Sequence, residues 1–393
     1  MIEKYYSGVI EQIYNRIGKE TRNIVMANYS NDFSIENLEV IRRYQSNEDN
    51  VFFAYSEFSY NTLVGAYEPF LDIICNMHRR FIGGSFDDFQ KECGVYYLHR
   101  QVLNSYYETG ECFREETVLL NEVAYEQRRM TMAIADMLKK LSEVKPLMIV
   151  INRFQMASKS SIETIKYLID NPCANIGIVL GVNAIVKGTD STVEVWDRIV
   201  ESLEDRSAIY YIGSAGPLKN NVKTTNDDEL YITMNFEQSI QEASNIMEFL
   251  DFEQARRGCR IIEHKLKFED AWIDEKSLRR FYMVYARTSV LLGEMSKAIE
   301  LTNEYKALIP ENDSEHYLSL YYFMKGTCYM YQGKLEKAGN SAKSAYGYAV
   351  LAEDDTLIFK AELLSVMIKM SGWYNIFFCV QDIPVSDEII EKL

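Results

Sequence analysis

Residues 146–169 read PLMIVINRFQMASKSSIETIKYLI. An unbroken apolar run at 147–151 has the length and β-branched content of a buried strand, and it stops at a polar pair, Asn152 and Arg153. A few residues later, across 161–169, apolar residues recur at helical spacing. Fully apolar strands that feed amphipathic helices belong to parallel sheets covered on both faces, whereas half-solvated antiparallel strands alternate. Working outward, similar short apolar runs occur at 23–27, 51–55, 176–180, 209–212 and 230–234. Helical stretches at 35–44, 61–81, 115–141 and 193–203 lie between them. The spacing predicts an α/β fold with a parallel sheet. Residues 84–112 read as an insertion of short helices (FDDFQKE, VYYLHRQVLNSYY) between the second and third strands.

Beyond Asn235 the strand signals stop and helical spacing continues to about residue 372. Helices are predicted over 238–250 and 252–266, then an internal repeat over 278–372. Gly293 and Gly333 are 40 apart, with Gly372 a further 39 along; Ala286 and Gly326, and Ala298 and Ala338, also recur at 40. The unit is helix, glycine turn, helix, with small residues where paired helices cross. The expected organisation is an α/β domain at 1–235, a helical linker at 236–277 and helical repeats at 278–393. The third unit is short, which suggests that the chain is the front of a longer protein, because arrays close with a polar cap.

Composition narrows the classes of function. A formal charge of −16 opposes a broad phosphate-binding surface, since affinity for nucleic acid rests on Lys and Arg. The densest basic pairs, Arg79-Arg80 and Arg256-Arg257, read as solvated helix faces. Seven cysteines are scattered without a CxxC pair, the pattern of reduced cytoplasmic thiols. The first 20 residues form an amphipathic stripe of Ile2, Tyr6, Val9, Ile10, Ile13 and Tyr14 and lack the apolar core of a signal peptide. No run reaches the length of a membrane span. The four histidines (His78, His99, His264, His316) fall outside metal-ligand spacing, and no nucleophile signature is present.

Residues 146–184 resemble the Walker B to sensor-1 region of the STAND branch of AAA+-related ATPases, which includes large LuxR-type and maltose-regulator-type transcription activators. Pro146, Leu147, the apolar run, Gln155, Ala157, Ser160 or Ser161, and Gly181 match that pattern. Pro69 and Phe70 match a segment that follows the family's second strand. The repeats resemble the tetratricopeptide pattern, stretched from about 34 to about 40 residues. The resemblance implies a P-loop NTPase-like sheet with degenerate nucleotide chemistry. Asn152 and Arg153 stand where the family carries the acids that hold magnesium and poise water. After the first strand, Asn28-Tyr29-Ser30-Asn31-Asp32-Phe33-Ser34 replaces the phosphate loop. There Ala27 and Asp32 stand for its glycines and Phe33 for its lysine, and only Ser34 fits.

The expectation is a non-catalytic regulatory or scaffolding protein, a pseudo-ATPase platform whose repeats bind a protein partner. Tyr317, Tyr321, Tyr322 and Tyr329 are helix-pair core or, in part, lining of a partner groove. No metal or resident cofactor is expected; the residual cofactor reading is weak ATP or ADP binding through backbone groups at Ser30, Asn31, Asp32, Phe33 and Ser34. The resemblance also implies control of assembly, hence an oligomer. Two alternatives remain: a divergent ATP-binding STAND switch, or the front of a LuxR-type transcription regulator.

Overall fold

The computed structural model describes residues 2–29, 39–46, 50–59, 63–112, 122–183, 186–187, 190–205, 208–212, 223–224, 235–268, 273–312 and 314–373. It divides into two compact units, residues 1–264 and 265–393.

The first unit opens with α1 (Ile2–Arg16), β1 (Ile24–Tyr29), α2 (Glu39–Ser46) and β2 (Phe52–Glu57). Then come α3 (Phe70–Met77), a π turn at His78–Ile82, α4 (Phe86–Glu92), α5 (Tyr97–Thr109) and α6 (Val123–Val144). Next are β3 (Leu147–Asn152), a 3₁₀ turn at Phe154–Met156, α7 (Lys159–Asp170), β4 (Ile176–Asn183), β5 (Val186–Lys187) and α8 (Asp190–Glu204). β6 (Ile209–Ile212), β7 (Lys223–Thr224), α9 (Phe236–Glu248) and α10 (Phe252–Phe268) complete the series, the last four residues of α10 falling past the division between the units. Five strands form one sheet in the order β2-β3-β4-β1-β6, every pairing parallel, as the apolar runs predict. β5 and β7 form a separate two-residue parallel pair that the sequence did not signal. The strand expected at 230–234 lies outside the described residues.

The connection from β1 to β2 runs across the sheet in one direction, and every later connection returns the other way. Right-handed crossovers therefore place α2 on one face, together with α1, and α6 to α8 on the opposite face. The first face is a single apolar cluster: Tyr6, Val9, Ile10 and Ile13 of α1 and Val40 and Ile41 of α2 pack on Val25, Ala27, Phe53, Val150 and Val179. β4 carries glycine at positions 177 and 181, both facing α1. A Cβ at Gly177 would lie 2.8 Å from Ile17 Cδ1. These two bare positions let α1 lie directly on the strand.

Several element boundaries differ from the sequence reading. The helix expected from residue 61 begins only at Phe70, because Pro69, as the N-cap, supplies no N–H and breaks the pattern ahead of it. Helices expected from 35 and 115 are described from Glu39 and Val123, and residues 30–38 and 113–121 lie outside the described set. Arg257 is buried rather than solvated, as are His78 and His99.

The second unit contains α11 (Glu275–Leu291), α12 (Met295–Ala307), α13 (Ser314–Tyr331), α14 (Leu335–Leu351) and α15 (Asp355–Trp373), each packed on the next. The 40-residue period extends to individual hydrogen bonds. Gly293 N–H donates to Val290 O (2.9 Å) and Glu294 N–H to Ser289 O (2.8 Å). Forty residues later Gly333 N–H donates to Met330 O (2.9 Å) and Lys334 N–H to Tyr329 O (2.9 Å). Both are Schellman turns with glycine in the left-handed region, φ 79° and 72°. Between α14 and α15 the same turn is made by Glu353, at φ 52°. Gly372, expected in a third turn, lies instead near the end of α15.

The repeated small residues mark helix crossings: Ala286, Ala298 and Ala338 are fully buried, and a Cβ at Gly326 would lie 2.9 Å from Leu364 Cδ2. Gly326→Val should therefore overpack the α13–α14–α15 junction and cost about 1–3 kcal/mol, read as a lower midpoint in chemical denaturation. An unchanged midpoint would remove this crossing from the account of the repeat.

Candidate functional site

Ligands of open parallel sheets bind beyond the carboxyl ends of the strands, where neighbouring connections leave on opposite faces. Here that point falls between β1 and β4, with β3 next in order. β1 ends in Asn28 and Tyr29, which pair with Val182 and Asn183 of β4, and β3 ends in Asn152. Three segments singled out in the sequence thus meet at one edge of the sheet.

The side chains that meet there are mostly closed on one another. Asn152 is fully buried, and its Oδ1 accepts a hydrogen bond from the Tyr29 hydroxyl at 2.5 Å. Tyr6 of α1 lies edge-on to the Tyr29 ring, 6.2 Å between centroids. A Cβ at Gly181 would collide with the Tyr6 hydroxyl and lie 2.8 Å from Asn152 Oδ1, so only glycine fits at this point. Burial, then the neighbouring Tyr29, Tyr55 and Glu57, pushes the Tyr6 phenol well above its ordinary value and keeps it protonated. Asn183 N–H donates to Gln155 Oε1 at 3.2 Å. Asn28 is buried, and its Oδ1 has no hydrogen-bond partner among the described residues.

Arg153 is left-handed at φ 55°, ψ 39°, which turns the chain out of β3. Its guanidinium pairs with Glu57 Oε1 of β2 at 3.2 Å, both groups about four-fifths buried, and Tyr55 donates to the other Glu57 oxygen. Where a magnesium-binding acid would present an open carboxylate, this edge presents a neutral amide held by a phenol and a cation held by a carboxylate.

Two expected loop positions are strand positions: Asn28 and Tyr29 are the fifth and sixth residues of β1, not the start of a turn. The ladder runs on to Tyr29 because that ring is buried under Tyr6 and β1 pairs on both sides with β4 and β6. Ser30, Asn31, Asp32, Phe33 and Ser34 lie outside the described residues. Ser160 and Ser161 are structural. Ser160 Oγ accepts from Tyr67 N–H (3.0 Å) and Ser161 Oγ donates to Glu68 O (2.7 Å). The start of α7 is occupied as well, by Ser158 and by Asp251 Oδ2, which accepts from Ser160 N–H at 3.0 Å.

In the second unit Tyr321 is buried, while Tyr317, Tyr322 and Tyr329 are half-buried. Tyr321 accepts a hydrogen bond from Lys325 Nζ at 2.8 Å, and Tyr322 stacks on Tyr348. Sequence reasoning missed Tyr6, Tyr29, Tyr55 and Glu57; the available signal was the glycine pair four apart in one strand, the mark of a helix pressed against it. Among the described residues, no group of three or more His, Cys, Asp or Glu could hold a metal, and no helix is long and apolar enough to cross a membrane. Compared with known proteins, the chain matches no family model, no curated protein and no solved structure.

Asn152→Asp tests the character of this edge. The new carboxyl would be buried, so its folded-state pKa rises above the ordinary carboxylate value. Its neutral form is then the stable one: the stability is fully present in acid and is lost as pH rises through the raised pKa. The variant should be less stable than wild type by about 2–4 kcal/mol near pH 8 and nearly equal to it near pH 4, measured by chemical denaturation. Equal stability at both pH values would mean that this edge is open to water.

Proposed function

We propose that this chain is a non-catalytic regulatory or scaffolding protein. Its α/β unit is a STAND-like, P-loop-related pseudo-ATPase platform, and its tetratricopeptide-like helices bind a protein partner. The observation that carries this reading is the closed Tyr29–Asn152 hydrogen bond at the end of β3, beside the Arg153–Glu57 ion pair. Two further features support it. β4, the strand that resembles the family's sensor strand, runs between β1 and β3, so the candidate phosphate-loop, sensor and Walker B ends are adjacent. The Schellman turns recur with the period of the small residues, as a repeat array requires.

Magnitudes favour loss of turnover over a weakened enzyme. Losing one preorganised electrostatic contact costs roughly 3–4 kcal/mol of transition-state stabilisation. Here both positions at the end of β3 have changed charge type: one carries a neutral amide and the other a cation. With nucleotide chemistry absent, control falls to protein or small-ligand binding.

Calorimetric titration with ATP and ADP, with and without magnesium, tests the platform. The expected result is a dissociation constant weaker than about 1 mM, corresponding to about −4 kcal/mol. Micromolar binding would overturn the pseudo-ATPase reading and favour a working nucleotide switch.

A further inference from the structure

Away from the strand ends, a cavity of about 280 Å³ lies between the turn at residues 63–69, α3, α5 and α9. Four of its lining side chains are acidic or phenolic: Glu68 from the turn, Asp72 from α3, Tyr106 from α5 and Glu242 from α9. No lysine, arginine or histidine lines it, and the rest of the wall is largely apolar. Glu68 Oε2 accepts Gly65 N–H at 2.9 Å, and Asp72 accepts the Tyr106 hydroxyl at 3.2 Å. Asp72 is exposed, whereas Glu68 and Glu242 are half-buried.

Glu242 is the group left over. The influences on its carboxyl are burial, then Glu68, then Asp72, and all three oppose ionisation. The crowding is visible at Gly65, where a Cβ would stand 3.0 Å from Glu242 Oε1 and 3.3 Å from Glu68 Oε2. Two carboxylates on the same face of one glycine, without a cation in the wall, cannot both ionise cheaply.

We propose that Glu68 and Glu242 form a proton-held latch, which fastens α9 to the turn ahead of α3 while protonated and loosens it in alkaline solution. Neither Tyr106 in the wall nor Cys75, outside it, supplies a counter-charge. Burial and Asp72 push the Tyr106 phenol up, so it stays neutral. Cys75, further along α3, is pushed up to about 11 by burial and is neutral as well. Burial raises Glu68, against the pull of Gly65 N–H, and Glu242 reaches about 7.

The sign follows from that direction. A carboxyl raised in the folded state contributes stability that is complete below the ordinary carboxylate range. That contribution disappears as pH climbs through the raised value, here around neutrality.

Hydrogen exchange of α9 amides in the full chain, corrected for the intrinsic rate, tests the latch between about pH 5 and 8.5. In wild type, α9 protection should fall about tenfold across this window. Glu242→Gln should hold near pH 8 the protection that wild type has near pH 5. The same loss in both proteins, or no loss in wild type, would overturn the proposal. Restoration of wild-type protection near pH 8 by calcium or magnesium alone would overturn it too, because the pair would then be answering to a cation. If Glu242→Gln does not fold, Glu68→Gln is expected to flatten the profile equally. Failure of both variants near pH 5 would also refute the latch, since an amide closely mimics the neutral acid.

Discussion

The α/β unit depends on the seating of α1 against β4. Two glycines on one face of that strand let a helix lie where side chains would otherwise hold it off. With the helix that close, Tyr6 reaches over Gly181, Tyr29 packs beneath it, and the Tyr29 hydroxyl finds Asn152. Backbone approach, ring packing and one buried hydrogen bond are therefore a single arrangement. Any larger residue at 181 would separate them. The length of β1 and the dryness of the β3 end follow from this contact.

The opposite side of the unit is tied by polar groups that serve two elements at once. Asp251 accepts Ser160 N–H at the start of α7 and Gln254 N–H near the start of α10, so one buried carboxylate satisfies orphan donors on two helices. Ser160 and Ser161 then hold the backbone of residues 67 and 68. The inserted helices are fixed differently. His78 sits among Phe86, Phe89 and Tyr107, and burial, then Arg79, holds its imidazole below the ordinary value. His99 reaches Glu126 of α6 at 3.0 Å.

What could be read from the chain alone was whatever repeats or alternates. Apolar runs such as 147–151 and 176–180 marked strands, since a short run of strand length that is apolar throughout is the pattern of a doubly covered parallel strand. The glycines at 293 and 333 marked repeat turns, because a left-handed residue strongly favours glycine. The turn between α14 and α15, which joins two units, was not visible because Glu353 adopts that conformation without the residue that advertises it; whatever follows the end of α15 at Trp373 lies outside the described residues. Strand order was hidden, being set by crossovers between distant segments. The candidate site was half legible: the polar pair at 152 and 153 that ends the apolar run is visible in sequence, but the partners that close the edge, Tyr6, Tyr29 and Glu57, come from three other elements.

The buried polar groups of the first unit contrast in how charge is handled. At the β3 end Asn152 brings no charge, being an amide that no change of pH within the physiological range can ionise. On α6 it is matched, Arg129 pairing with Glu126 beside His99 of α5. In the cavity under α9 it is neither absent nor matched, and neutrality there requires a proton. A closed amide–phenol pair is inert to solution conditions, whereas a crowded carboxyl pair reports on them. On the latch proposed above, a part of this unit that responds to its surroundings is the turn at 63–69 and the helix it holds, while the closed pairs at the strand ends do not answer to pH.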